Sequence, residues 1–504
     1  MRLRHKAGWV CLAVGLIALA LRLALLPVFP IPNPTFHDEF SYLLGADTFR
    51  LGRVANPPHP MWIHFETFHE NFQPTYASKY PPAQALAIAL GWKLFGHPWY
   101  GVWLSCGLMC AALCWMLYGW LPQRYALLGG LMAAAEWGVT GYWVNSYWGG
   151  AVAAAAGALV IGAVPRLARR PSAGPAALAA LGALVLANSR PYEGALVVAA
   201  AMVVLVVWRR RAGRPWSELV QWRVALPVVL VLGSGLAGDL FYNWRVTGNP
   251  LLMPYAANQA TYGASPAFWM MPLPRDPVYH HEVMRKLWLE TDRNVYLRAR
   301  AFPPFVAALF VVMMPFYLTP VSALAVFSAA FLRHSQKVRT VLALAALPVA
   351  GLLLEKFIMV HYFAPAAGLI LLLVLMGVQQ LRVRFGPRTV GIFAALFFLS
   401  VGIQTAALLR DDEHTQFAAR RAEMVCTLAA EPGRQLVIVR YTAAHDVNHD
   451  WVFNGADIDG SQTVWARDMG DVRNRELIDY FRDRKVWLFE PDLPGARPVA
   501  YSPR

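Results

Sequence analysis

The 504-residue sequence predicts a polytopic α-helical membrane protein, with interfacial helices in its first outer loop and a small C-terminal α/β domain. Three observations predict it. First, 57% of residues are hydrophobic and only 15% charged, where soluble domains carry about 25%, and mean hydropathy is +0.39. Second, long apolar runs recur from residue 9 to residue 409. Third, much of the net charge of +15 sits in short loops between those runs, a distribution that orients a membrane protein and argues against nucleic acid as a partner. The 19 Trp and 19 Tyr suit anchoring at both interfaces.

The first run, 9–29, is longer than a signal-peptide core, and no small-residue cleavage site follows it. Pro27, Pro30, Pro32 and Pro34 end it. It is expected to be a retained span, with Arg22 reaching the outer headgroups. Ten further runs are expected to cross: 99–120, 124–143, 148–165, 174–189, 193–208, 223–242, 301–332, 338–354, 362–381 and 388–409. The 301–332 run holds Pro303, Pro304, Pro315 and Pro320 and reads as one kinked span, with two half-spans as the alternative. Eleven spans with a cytoplasmic N-terminus leave the basic loops inside: Arg124, Arg166–Arg170, Arg209–Arg223, Arg333–Arg339 and Arg382–Arg388. Tyr80–Gly96 is short and carries Gln84 and Lys93; counting it as a span would turn all of these loops outward, so it is expected in the interface plane.

Residues 1–409 are therefore read as the transmembrane domain, with outer loops 30–98 and 243–300, and 410–504 as an extracytoplasmic domain. In that tail, Asp412–Ala430 reads as a helix stopped by Pro432-Gly433, Gln435–Tyr441 and Thr463–Ala466 as strands, Asp471–Arg484 as a helix and Lys485–Glu490 as a strand, an alternation that favours a β/α layer. The sequence shows no repeat and no inverted symmetry. Cys11, Cys106, Cys110 and Cys114 lie in apolar runs and only Cys426 in the tail, which excludes a disulfide scaffold. The i, i+4, i+8 spacing of Cys106, Cys110 and Cys114 reads as packing.

Chemistry-bearing residues gather on the outer side. His37-Asp38-Glu39 follow the first span, and acidic side chains at a membrane face are costly and usually do work there. Thr35-Phe36-His37-Asp38 matches a capping box with Thr35 as N-cap. A helix N-terminus keeps Asp38 ionised, fit to take a hydroxyl proton or to bind a divalent cation. His59, His64, Glu66, His69 and Glu70 share a stretch with Trp62, Phe65 and Phe68; the spacing fits no tight zinc signature, and the aromatics suit stacking on sugar rings. Asn188–Gly194 places Arg190 and Glu193 in another outer loop, either as a plain ion pair or with Arg190 holding phosphate and Glu193 orienting a sugar or the acceptor. Glu355-Lys356 and His361-Tyr362 occupy a third, placed to close the same pocket. His445, Asp446, His449, Asp450, Asp457 and Asp459 read as a solvated loop.

One order of motifs stands out: an apolar first span, a Pro-rich exit, Asp38-Glu39 followed by Tyr42 and Ala46, a long loop, then Lys79-Tyr80-Pro81-Pro82 opening a helix that ends in Leu94-Phe95-Gly96. It resembles the GT-C superfamily of integral membrane glycosyltransferases, in the branch of protein O-mannosyltransferases and aminoarabinose transferases, by motif in the first half of the chain and by architecture in the second. The resemblance implies a hexosyl- or pentosyltransferase that moves a sugar from a polyprenyl-phosphate donor to a glycan, lipid or protein acceptor at the outer face of a bacterial inner membrane. It maps the catalytic acid onto Asp38, with Glu39 beside it, and puts Lys79 close to the donor phosphate; with Asp38 and Glu39 as the catalytic pair, Lys79, Tyr80, Arg190, Glu193 and His361 are expected to bind the donor. Many members carry a second acid in the next outer loop, where this chain has Asn145-Ser146-Tyr147-Trp148-Gly149-Gly150. That departure weakens a metal-dependent reading; no cofactor is fixed, and a divalent Mg²⁺ or Mn²⁺ stays open. A transporter or flippase of lipid-linked glycans would need deep charges and repeated halves, of which the sequence shows few and none. A polysaccharide polymerase or ligase would centre on a loop like 243–300, with Arg275, His280, His281, Arg285, Arg293, Arg298 and Arg300.

Overall fold

The computed structural model describes residues 2–332, 334–408 and 415–502. After α1 (Arg2–Ala24), the first outer loop folds as α2 (His37–Arg50), a two-stranded ladder of β1 (Glu70–Asn71) with β2 (Ala77–Ser78), and α3 (Pro82–Phe95). There follow α4 (Trp99–Trp120), α5 (Gln123–Ala133) continued by a π-helical stretch to Val139, α6 (Gly150–Arg169), α7 (Ala173–Ala187), α8 (Pro191–Arg211), α9 (Ser217–Val220) and α10 (Trp222–Thr247). The second outer loop holds α11 (Pro254–Tyr262), α12 (Glu282–Arg285), a π-helical stretch Lys286–Asp292 and α13 (Arg293–Ala301). The helical part closes with α14 (Pro304–Met313), α15 (Pro320–Ala329), α16 (Gln336–Leu352), α17 (Ala367–Phe385) and α18 (Arg388–Leu408).

The chain is a polytopic helical protein with a C-terminal α/β domain. Among the described residues, seven helices are long and apolar enough to cross a bilayer, namely α1, α4, α6, α8, α10, α17 and α18, or eight when the bent pair Glu282–Ala301 and Pro304–Phe316 counts as one. Eleven were expected. The difference lies in α5, α7 and α16, with 11, 15 and 17 residues, and in the 301–332 run. α5 runs on through the π-helical stretch to Val139, and α5 and α7 lead to the turns that bring Trp148 and Arg190 to the cavity described below. The 301–332 run is not one kinked helix: Pro315 and Pro320 each remove a backbone donor, and α14 and α15 separate between them. α4 packs between α1 and α6, and its Cys106, Cys110 and Cys114 are fully buried free thiols, as the spacing predicts. α10 and α18 bury little of their apolar surface within the protein, as spans bordering lipid do.

Arg22 departs from its expected place. It is fully buried and donates to the carbonyls of Phe29 (2.8 Å) and Pro30 (3.3 Å) and to Asn145 Oδ1 (2.9 Å), with its guanidinium 4.9 Å from the centre of the Trp99 ring. Three of its five donors tie the exit of α1 to the 140–149 turn rather than to headgroups. α3 has 14 residues and buries Gln84, Ala85, Ile88 and Ala89 while Leu86, Leu90, Leu94 and Phe95 stay exposed. It crosses α4 at Gly91 and Gly101, where a Cβ on Gly91 would come within 1.9 Å of the Gly101 nitrogen.

The tail forms α19 (Thr415–Ala430), β3 (Arg434–Val439), β4 (Thr463–Arg467), α20 (Asp471–Tyr480), β5 (Arg484–Phe489) and β6 (Val499–Ala500). The sheet order is β4-β3-β5-β6, with β3 parallel to both neighbours and β6 antiparallel at the edge. Asp412–His414 lie outside the described residues. α20 stops at Tyr480, because Arg484 opens β5 with its guanidinium donating to the carbonyls of Gln435, Asp459 and Ser461. The two-residue β6 is too short for any periodicity to reveal. The domain docks on the first outer loop: Phe453 stacks on Phe40 of α2 at 4.0 Å, the Ala456 amide donates to Asp47, and Thr67 donates to Asp450.

Candidate active site

α2 begins one residue later than the sequence suggests. Phe36, not Thr35, is the N-cap, and Glu39, not Asp38, closes the cap: one of its oxygens accepts from the amides of Thr35 (2.8 Å) and Phe36 (3.0 Å), the other from the amide of Tyr147 (2.8 Å). Glu39 is buried and does not line the cavity described next. Backbone donors occupy both of its oxygens, so the expected catalytic pair reduces to Asp38. Freed from capping, Asp38 sits in the first turn with its carboxylate turned to the cavity.

That cavity, about 450 Å³, lies beneath the 441–454 segment of the tail and is walled by α2, the β1–β2 ladder, the second outer loop and the loops before α8 and α17. Asp38, Lys79, Tyr80, Arg190 and His361, five of the seven residues singled out from sequence, line it; Glu39 and Glu193 do not. Glu193 stands behind Arg190 and pairs with it at 3.4 Å, and the guanidinium lies 4.5 Å from the centre of the Tyr362 ring. The ion-pair alternative therefore describes Glu193, and Arg190 is the member that reaches the wall. His361 is buried against Trp148, ring centres 4.4 Å apart.

The carboxylate of Asp38 is held from three sides. Tyr80 donates its hydroxyl to Oδ1, His37 Nδ1 lies 3.1 Å from Oδ2, and His69 Nε2 lies 3.8 Å from Oδ1. Burial by itself would raise this carboxyl, but His69, His37 and Lys79 outweigh it and hold it well below the usual carboxylate range. Lys79 is buried with its ammonium 5.0–5.5 Å from the ring centres of Tyr80, Tyr255 and Trp288 and 2.5 Å from His69 Nδ1. Burial lowers it to about 8 against the pull of Asp38 and Asp292. Across the cavity, Lys356 pairs with Asp292 at 2.6 Å. Glu355 keeps one buried oxygen without a partner, and burial and the neighbouring Glu193 push its carboxyl up to about 9, so it faces the cavity protonated.

Sequence reading placed His69 only within a histidine-rich run, named His37 beside Asp38 without giving it a role, and passed over the cage residues Tyr255 and Trp288 and Asn448 of the tail. The histidine-rich run is split by the fold. His59 pairs with Asp459 (3.0 Å), His64 faces the Arg467 carbonyl (3.2 Å), and Glu66 accepts from His280 (2.6 Å) and Tyr262 (2.7 Å), so only His69 turns to the cavity. Two of the arginines of the second loop that were weighed for a polymerase site are engaged in ion pairs, Arg285 with Glu282 and Glu290, Arg293 with Asp276. In the tail cluster, Asp450 is buried beneath Arg467 rather than solvated.

His37, Asp38 and His69 bring one ligand atom each to within 4.8 Å of one another. This set does not fit the expected Mg²⁺ or Mn²⁺, which favour oxygen ligands. Lys79 Nζ lies 2.5 Å from His69 Nδ1, and its ammonium form would repel a divalent ion there. We derive no step through a metal.

Neither a family model nor a curated protein matches the sequence. Among solved structures, ArnT from Cupriavidus metallidurans bound to undecaprenyl phosphate matches over 96% of this chain and 93% of that one, at 15% identity and a TM-score of 0.54. The same protein in the apo state matches over 97% and 94%, at 15% identity and a TM-score of 0.52. The chain therefore has the fold of ArnT.

Proposed function

We propose that this protein is a membrane glycosyltransferase that moves a sugar from a polyprenyl-phosphate donor to a hydroxyl acceptor at the outer face of a bacterial inner membrane. One observation carries the reading: Asp38, Lys79 and Arg190, far apart in sequence, share the wall of one cavity in a fold whose relative ArnT was crystallised with undecaprenyl phosphate. The acceptor hydroxyl attacks the anomeric carbon while Asp38 takes its proton, and the bond to phosphate breaks with its electron pair leaving on oxygen. Arg190 and Lys79 offset the phosphate charge that an apolar bundle cannot solvate. Tyr80 and His37 orient the base, and Trp148 and Tyr362 offer faces to a sugar ring.

The donor pocket is tested on protein in nanodiscs with labelled polyprenyl-phosphate sugars. Arg190→Ala and Lys79→Ala weaken donor binding more than acceptor binding. Arg190→Lys restores it only in part, because a point charge does not reproduce the planar fork. Donor affinity unchanged in both alanine variants would remove the pocket from consideration.

The topology follows from charge. A reporter fused at Arg211 reads cytoplasmic, and one behind Arg410, outside the described residues, reads extracytoplasmic. Both on one side would mean that the span parity is wrong and that α3 does not lie in the interface plane.

A further inference from the structure

His69 is the one non-glycine among the described residues in the left-handed region, at φ +63°. Backbone in that region is seldom adopted without a reason and clusters at functional sites. Here the reason is visible. Ser41 Oγ (2.6 Å) and the Lys79 amide (3.1 Å) both donate to the His69 carbonyl, and this pins the turn that swings the imidazole inward. The ring is closed in by His37, Tyr80 and Trp288, with centres at 4.5, 5.9 and 5.9 Å. Its two nitrogens face the two functional groups of the site, Nε2 at 3.8 Å from Asp38 Oδ1 and Nδ1 at 2.5 Å from Lys79 Nζ. The transfer outlined above uses Asp38 and Lys79 and leaves the residue wedged between them without a part.

We propose that His69 carries the acceptor's proton from Asp38 to Lys79, beside the phosphate that leaves. The proposal rests on the glycosyltransferase reading. The acceptor O–H bond breaks, and its electron pair forms the bond to the anomeric carbon. The carbon–oxygen bond to phosphate breaks, and that pair stays on the phosphate oxygen. The proton passes to Asp38 and on to Nε2 of His69, while Nδ1 gives its own proton to the Lys79 amine. The new ammonium meets the second negative charge that the phosphate monoester gains. One proton has moved from hydroxyl to amine, and no further reactant is needed.

The surroundings suit this. Burial, with Lys79 beside it, holds His69 well below its ordinary value, so imidazolium does not trap the proton. Lys79, near 8, divides between ammonium and amine close to neutrality, while Arg190 keeps its charge and holds the donor in either case. The charged and titratable groups facing the relay are Asp38 and His37 from α2, Tyr80, and Asp292 with Lys356 across the cavity. The Asp38–His69 gap exceeds hydrogen-bond length, as such contacts often do before substrate closes them.

The test uses the full-length protein in nanodiscs. His69→Asn tolerates the left-handed backbone and should lower kcat by about 10²-fold. Donor dissociation constants, measured on the same preparations, should stay within a few-fold of the parent and so report an intact fold. The parent's kcat should rise as pH increases through about 8, where Lys79 becomes an amine, and that rise should vanish in the variant. His69→Gly suits the same φ and leaves a ring-sized gap, so added imidazole should restore part of its turnover. Near-parental kcat in His69→Asn, or losses that track lost donor binding with no rescue by imidazole, would overturn the relay. If His69→Asn is active and Asp38→Asn inactive, the relay fails and the transferase stands. If both are active, the assignment of the base falls and the relay with it.

Discussion

Asp38→Asn lowers sugar transfer by about 10²–10⁴-fold, the range by which general-base catalysis accelerates a step, while expression and fold are kept. The amide keeps the size of the carboxyl and can still accept from Tyr80, and the cap of α2 is untouched because Glu39 supplies it. Labelled polyprenyl-phosphate sugars supplied to purified protein measure the effect, and donor binding in the same variant separates chemistry from assembly. The structure sharpens this expectation by separating the two carboxylates. Glu39→Gln should act first on stability, because its oxygens join the start of α2 to the 140–149 turn through the Tyr147 amide. Near-normal turnover in the Asp38→Asn protein would end the assignment of the base.

Arg467→Ala lowers stability by about 3–5 kcal/mol, the range seen when one partner of a buried ion pair is removed and the other charge is left behind. Arg467 and Asp450 are buried and 2.7 Å apart, Thr67 donates to the same carboxylate, and Arg467 also donates to the Glu66 carbonyl at 2.5 Å. The loss therefore loosens the tail from the first outer loop and not only the tail itself. Thermal unfolding followed by tryptophan fluorescence, with protease susceptibility of the tail, reads both consequences. Arg467→Met combined with Asp450→Asn recovers much of the loss, since no uncompensated charge remains. The pH dependence has a definite sign. Burial raises the Asp450 carboxyl, but Arg467 outweighs it and brings it down to about 2. A folded-state value below the unfolded one, about 3.9, gives stability that is present above pH 4 and is lost as pH falls from 4 toward 2. A midpoint unchanged in Arg467→Ala would show that the pair does not hold the two parts together.

The sequence by itself determined the class of this protein, for a plain physical reason. A bilayer demands long runs free of charge and an uneven distribution of Lys and Arg, and both are one-dimensional properties. It also singled out residues that share one cavity wall, because Asp38, Lys79, Arg190 and His361 interrupt apolar sequence where a charge or imidazole is costly. The strands of the tail were legible within a residue or two from their β-branched runs. Tertiary structure alone decided the rest. Packing sets where a helix ends, so α5 gives way to a π-helical stretch before the 140–149 turn. Which of two adjacent acids caps α2 is a matter of one residue of phase, and the Tyr147 amide, more than a hundred positions away, settles it in favour of Glu39. Snorkelling and burial give Arg22 the same local sequence, and Asn145 and Trp99 decide between them. His69 became a candidate only when a left-handed turn placed it between Asp38 and Lys79, because contacts across 31 and 10 residues leave no period or motif in the chain.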